Sequence, residues 1–172
     1  MANAKASADI FTNFYYVKVT LDGTDSTTMA ENDFDTGLSS RGGLGWVIHR
    51  IEVWPTFKAI RMDADLVLKV ALSTKKDEGS LPDPDVTGVI FHNRYAVSAA
   101  AAGTIIAPHE PHYMVFDPPL LIASKNLSMY AETEVDDAAW RNTTVHARIH
   151  YTYWPVGIAE YLEIAETWGA AQ

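Results

Sequence analysis

Apolar and polar residues alternate over much of this chain, which is the period of β-strands that bury one face. The alternation is cleanest from Asp63 to Thr74, where every second residue is an alanine, a leucine or a valine. Comparable segments are Phe11–Leu21, Val86–Val97 and Thr144–Trp154. The pattern predicts four strands that each have one apolar and one more polar face.

The segment Trp46–Trp54 carries apolar residues on both faces, which is typical of a central strand. We expect this strand to end at Pro55, since proline lacks the N–H that a sheet needs. In a regular strand, Val47, His49, Ile51 and Val53 share one face, and Trp46, Ile48, Arg50, Glu52 and Trp54 share the other.

Less regular segments predict further strands. Thr27–Phe34 predicts an edge strand, and the short strands Tyr113–Phe116, Leu120–Ala123 and Leu127–Thr133 lie among or after prolines. About eight or nine strands without alternating helices predict an all-β antiparallel sandwich. We expect residues 1–172 to form a single domain, with residues 1–10 as a flexible N-terminal segment.

The end of the chain has a different period. Over residues 156–168, apolar side chains recur at helical spacing, with most glutamates on the opposite side, which predicts a short amphipathic helix. Such a helix must bury its apolar stripe, and we expect it to do so on a neighbouring copy of the chain. The predicted assembly residues are Tyr161, Leu162, Ala165 and Trp168.

Composition narrows the function. The net charge is −9, the 13 basic residues are scattered, and the N-terminus has no basic arm, so we expect no direct nucleic-acid binding. The absence of cysteine excludes disulfides, thiolate metal sites and cysteine nucleophiles. No apolar run is long enough for a transmembrane segment, and the N-terminus lacks a signal-peptide core, so we expect synthesis in the cytoplasm. A secreted chain without its leader would have the same sequence.

Two histidine pairs are candidate metal ligands. His109 and His112 are three apart with a proline between them, which does not fit the four-residue spacing of a zinc-binding helix. His146 and His150 flank Arg148, whose charge opposes a bound cation. No Ser/His/Asp or phosphate-binding motif is present. The sequence therefore predicts no enzyme activity, no catalytic residues, no cofactor and no transition metal.

Acidic loops leave one candidate for a hard cation. Asp83 and Asp85, with Asp77 nearby, could supply oxygen ligands for calcium, although their spacing is not that of an EF-hand. The alternative is a set of acidic surface residues that keeps the protein in solution.

Aromatic residues are abundant, with five tryptophans and eight tyrosines. Trp46, Trp54 and Tyr16 fall on predicted strand faces that also carry charged residues. Exposed aromatics of this kind are typical of protein interfaces and of sugar-binding platforms. They favour a binding or assembly surface, although core packing is the alternative for each one.

The segments RGGLGWVIHRIEVWP and ARIHYTYWPVGIAEYLEIAETW, in a cysteine-free chain of about eight strands, resemble single jelly-roll capsid proteins of small icosahedral tailless viruses. The resemblance implies a structural subunit of a virion, made in the host cytoplasm. Its partners would be copies of itself, either alone or together with a second capsid protein. In lacking a basic arm, the chain resembles capsid proteins whose shells do not contact the genome.

Other classes remain open at this point. A carbohydrate-binding β-sandwich would use the aromatics and the acidic loops. A cupin-like enzyme would need histidines and a carboxylate that converge inside the barrel, of which His146 and His150 are a fragment. A non-viral subunit of an extracellular tube or sheath would assemble by the same physics as a capsid protein.

Overall fold

The protein is described by a computed structural model that covers residues 13–21, 29–36, 43–57, 66–75, 80–100, 104–106, 111–122, 124–133, 143–160 and 162–163. Within these residues the chain forms nine strands. They are β1 (Asn13–Thr20), β2 (Met29–Asp35), β3 (Gly43–Thr56), β4 (Leu66–Ser73), β5 (Val89–Ala100), β6 (Thr104–Ile106), β7 (His112–Ile122), β8 (Asn126–Thr133) and β9 (Thr144–Val156).

The strands form two antiparallel sheets. The four-stranded sheet has the order β1-β9-β3-β7, and the five-stranded sheet has the order β2-β8-β4-β5-β6. The first strand pairs with the last, β2 with β8, β3 with β7, and β4 with β5. A chain folded as one long hairpin and then wound into two sheets has this order, which is the jelly roll. The predicted antiparallel single jelly-roll β-sandwich is therefore confirmed.

The core lies between the two sheets. Strands with clean alternation supply most of it, and their inward side chains are almost fully buried, as Leu68, Leu72 and Ile149 show. Tyr95 on β5 donates its hydroxyl hydrogen bond to the carbonyl of Val53 on β3 at 3.0 Å. That bond links the sheets and satisfies a polar group that burial would otherwise leave without water.

β3 contains an irregularity that the sequence pattern does not show. Ile48 is opposite Tyr151 on β9, and Arg50 is opposite the next residue, His150, so that His49 is an extra residue. Such a bulge reverses the alternation beyond it. The predicted faces of this strand were therefore wrong: Trp46 and Ile48 face the core before the bulge, as Ile51 and Val53 do after it.

The prolines that were expected to end strands do not end them. Pro55 lies within β3, beyond the last residue that pairs with a described residue of β7. The predicted strands Tyr113–Phe116 and Leu120–Ala123 are one edge strand, β7, up to Ile122. Pro118 and Pro119 lie in the stretch of β7 that has no register partner on β3. A missing N–H is tolerated at such positions.

The C-terminal helix begins later than expected. Val156 is the last residue of β9 and is buried, and the helical residues are 158–160 and 162–163. Pro155 is paired within the strand, where β9 extends beyond the end of β1. Residues 1–10, 161 and 164–172 lie outside the described residues. No helix in the described part of the chain has the length and apolarity to cross a membrane.

Two glycines provide a matched test of the packing between β3 and the end of β9. A Cβ atom on Gly45 would lie 2.8 Å from Val156 Cγ2 and 3.3 Å from the carbonyl oxygen of Ile122, whereas one on Gly157 would meet nothing within 4 Å. We expect Gly45→Ala to lower the free energy of unfolding by about 1–3 kcal/mol through overpacking. Gly157→Ala should change it by less than about 0.5 kcal/mol. Urea denaturation measures both, and equal stabilities would contradict the described approach of the two strands.

Candidate interaction surface

The outer faces of the two sheets differ. The five-stranded sheet is covered by its own loop: Tyr130 on β8 points outward, is fully buried, and donates a hydrogen bond to the carbonyl of Lys75 at 2.9 Å. Leu81 N donates to the carboxylate of Glu132 at 3.3 Å, and Pro82 is buried. No described segment covers the four-stranded sheet in this way. Its outer face is therefore the candidate interaction surface.

Large apolar side chains are exposed on the two edge strands of this face. Phe14 and Tyr16 on β1 are 64% and 46% exposed, and Tyr113 and Val115 on β7 are 56% and 69% exposed. The two middle strands, β9 and β3, place charged and histidine side chains between them. The register aligns these residues in two rows across the sheet, Tyr16–Arg148–Glu52–Tyr113 and Phe14–His150–Arg50–Val115.

Glu52 is at the centre of the face and is only 7% exposed. Arg50 Nη2 lies 2.5 Å from its carboxylate, His150 Nε2 lies 3.0 Å away, and Arg148 Nη1 lies 3.4 Å away. A buried carboxylate is stable only when such donors replace the water it has lost. Two guanidinium groups share one carboxylate, so the centre of the face keeps a positive charge.

Aromatic rings pack beside this cluster. The rings of His146, Tyr16 and Trp54 form a triangle. The His146 centroid lies 5.8 Å from that of Tyr16 and 5.4 Å from that of Trp54, and the other two are 6.3 Å apart. The Tyr16 hydroxyl and His146 Nδ1 form a hydrogen bond. The Arg148 guanidinium lies 5.6 Å from the ring centroid of Phe14 and 5.7 Å from that of Trp54. Trp54 thus turns its ring toward other side chains of the same sheet.

The pKa values of His146 and His150 lie below the ordinary value, which favours the neutral form of both side chains. Partial burial lowers the pKa of His146, and Lys18 lowers it further. Burial also lowers the pKa of His150, with Arg50 the next largest cause and Glu52 opposing both. The charged side chains that β1, β9 and β3 place on this face are Arg50, Arg148 and Lys18 against Glu52, three positive and one negative. The chain as a whole carries −9.

The predicted site residues lie elsewhere or outside the described residues. Leu162 is 52% exposed in the helical segment, whereas Tyr161, Ala165 and Trp168 are outside the described part. Trp46, expected on a charged face, is buried in the core because of the bulge, and only Trp54 and Tyr16 reach the outer face.

The calcium candidates Asp83 and Asp85 are exposed in the loop over the five-stranded sheet, and Asp77 is not described. Among the described residues, no three His, Asp or Glu side chains come together as a metal site. Of the histidines weighed as ligands, His109 is not described and His112 packs its ring 6.1 Å from that of Phe91. The calcium site stays a prediction.

Comparisons with known proteins give little beyond the fold. No protein-family model and no curated protein matches the sequence. The chain is similar to a crystal structure of tomato aspermy virus, with a TM-score of 0.45 and 11% identity over 81% of this chain and 76% of that chain. It is also similar to an unassembled pentamer of Washington University polyomavirus VP1, with a TM-score of 0.43 and 9% identity over 81% of this chain and 91% of that chain. At TM-scores below 0.5, the jelly-roll assignment rests on the strand order of this chain. That order confirms the resemblance to jelly-roll capsid proteins as one of fold.

Glu52 provides a test of the charged centre. We expect Glu52→Gln to lower the free energy of unfolding by about 1–3 kcal/mol, because a neutral amide offers two arginines and a histidine one uncharged acceptor oxygen in place of a shared carboxylate. The value is at the lower end for a buried ion pair because both arginines are 43% exposed and regain water. Glu160→Gln, on an exposed residue, is the control, with an expected change below about 0.5 kcal/mol. Equal urea midpoints for the two variants would contradict this account of the cluster.

Acid should destabilise the fold through the same face. Since the folded pKa of His146 and of His150 lies below the ordinary value of 6.5, the unfolded chain binds protons first as the pH falls. The stabilisation is complete above about pH 6.5 and is lost as the pH falls through the folded pKa. We expect the unfolding temperature of the double variant His146→Gln/His150→Gln to depend less on pH between about 7 and 5. His92, whose pKa is also lowered by burial, should leave a residual dependence. An unchanged profile in the double variant would contradict the assignment.

Proposed function

We propose that this chain is a structural subunit that assembles with copies of itself into a virus shell, so that its location is the virion. The observation that carries the proposal is the outer face of the four-stranded sheet. Its edges expose Phe14, Tyr16, Tyr113 and Val115, and its centre carries Arg50 and Arg148. Aromatic residues and arginine are enriched in protein interfaces, and lysine and acidic residues are depleted there.

The exposed apolar area of this face can stabilise a contact with a second molecule. Burial of one large apolar side chain contributes about 1.5–3 kcal/mol. The four side chains on this face are about half to two-thirds exposed, so their burial would offset part of the free energy lost with translational and rotational freedom. In a shell the same gain is repeated at every subunit.

The charge of the face determines the type of contact. Two identical faces would bring Arg50, Arg148 and Lys18 of one copy toward the same residues of the other. Glu52, the acid on this face, is buried and already paired. Face-to-face pairing is therefore repulsive, and the contact has to join two different surfaces. Contacts of that kind continue from copy to copy and generate rings or extended arrays, as a shell requires.

The other classes are less well supported. The space between the sheets is filled by apolar side chains, such as Ile48, Leu72 and Met129, where a cupin-like enzyme would need its ligands. The stacked rings of Trp54 and His146 argue against a sugar platform. A tube or sheath would use the same contacts as a shell, and a second capsid protein could share them. Microscopy separates these assemblies.

Electron microscopy of the purified full-length chain tests the proposal. We expect closed shells, whereas tubes would favour the sheath and a small oligomer of fixed size would contradict assembly. The double variant Phe14→Ser/Val115→Ser should leave a folded subunit that no longer forms particles, because it removes apolar area from both edges of the face.

Ala96→Ser is the matched control, since Ala96 is exposed on the outer face of the five-stranded sheet. It should assemble as the unchanged chain does. Particles formed equally by both variants would show that the four-stranded sheet is not the contact surface.

A further inference from the structure

We propose that the outer face of the four-stranded sheet receives the C-terminal helical segment of a second copy of this chain. This inference rests on the proposed function, because it names the contact through which the copies assemble. It joins two surfaces that the described structure leaves uncovered, an apolar stripe on the helix and an apolar-edged face on the sheet.

The described apolar residues of the helical segment are not buried on their own sandwich. Ile158 and Leu162 are 56% and 52% exposed, and their spacing of four residues places them on one side of a helix. The sequence repeats apolar residues at helical spacing as far as Trp168. An amphipathic helix is stable mainly through packing of its apolar side, so this segment needs a surface other than the one from which it projects.

The sheet has room for a helix. Three strand spacings of about 4.8 Å separate β1 from β7, a width of about 14 Å. A helix with its side chains is about 10–12 Å wide. It therefore fits along β9 and β3, between Phe14 and Tyr16 on one edge and Tyr113 and Val115 on the other. These exposed side chains can contact the apolar stripe from both sides.

The two surfaces have opposite charge. Residues 157–172 contain three glutamates and no lysine or arginine, whereas the face has two more positive than negative groups. Most of the glutamates lie away from the stripe and stay in water, so docking does not remove their hydration. At 0.1 M salt, charges are felt over about 10 Å, which is close to the width of the helix. The attraction between the face and the glutamates on the far side is therefore largely screened at this salt concentration and grows as the salt is lowered.

A second copy fits better than the same chain. The segment starts at Gly157, directly after β9, and His150 lies six residues back along that strand, about 20 Å away. To reach its own outer face the helix would have to reverse over β9, and its described residues are exposed instead. Nucleic acid fits less well, since the chain as a whole carries −9 and its 13 basic residues are scattered, whereas phosphate binding needs clustered cations.

The absence of cysteine from the chain permits a direct test by cross-linking. Full-length chains carrying Leu162→Cys are mixed with chains carrying Val115→Cys, assembled, and treated with a short bis-maleimide. Because each chain has one thiol, an adduct between positions 162 and 115 can form only between copies. We expect this adduct, identified by mass spectrometry of the linked peptides, in severalfold excess over that with the matched control Ala96→Cys. High salt should lower its yield, since it screens the charge attraction.

The outcomes separate this inference from the proposed function. Particles without the 162–115 adduct, or with an adduct to position 96 instead, overturn the inference and leave the shell subunit in place. The 162–115 adduct without particles supports the docking and overturns the shell. Neither particles nor adduct overturns both. A single-stranded oligonucleotide that abolishes the adduct, and binds less well to Lys18→Gln, would show that the face takes nucleic acid and overturn the docking.

Discussion

β3 has one residue more than β9 can pair with, and His49 is that residue. Its ring bonds to the hydroxyl of Thr152 on β9 at 2.9 Å, which holds the bulge against the sheet. Without the bulge, Arg50 and Glu52 would point into the core and lose their water. Burial of charged groups is costly, whereas burial of an apolar residue is favourable. The inward packing of Ile51 and Val53 and the charged centre of the outer face both depend on this one insertion.

The jelly roll leaves two outer faces, and this chain treats them differently. The loop after β4 covers one of them and satisfies Tyr130 and Glu132 through its backbone. The other keeps aromatic and aliphatic side chains in contact with solvent. A sheet edge or face that is apolar and uncovered is a place where another chain can pack. The difference between the faces gives the subunit a direction, as assembly into a closed layer requires.

Electrostatics adds selectivity to this packing. The chain carries −9, so that copies repel one another over most of their surface. The centre of the outer face is positive because two arginines share the carboxylate of Glu52. Burial lowers the pKa values of His146 and His150, so these histidines add little to that charge. In the docking that we propose, opposite charge guides an acidic segment of one copy toward a single face of the next. Complementarity of this kind gives specificity more than affinity.

The amino-acid sequence determined the class of the fold, because a period of two residues is a local property. The strands with clean alternation, β4 and β9, were predicted almost to their ends, and the edge position of β2 followed from its weak apolar pattern. The effect of the prolines was predicted wrongly. Whether a strand tolerates Pro118 or Pro155 depends on which side of the strand has a neighbour, and the residues of the strand itself do not show that.

Only the tertiary structure decided the candidate surface. The sequence singles out Trp54, Tyr16 and the two histidines around Arg148 as separate candidates. It does not show that they lie on one surface. Tyr16 and His146 are 130 residues apart and meet because β1 pairs with β9. The bulge then exchanged the faces of β3, placing Trp46 inside and Arg50 outside. Strand register and bulges are set by long-range pairing, so the composition of a strand determines that it has two faces, and its neighbours determine which one meets water.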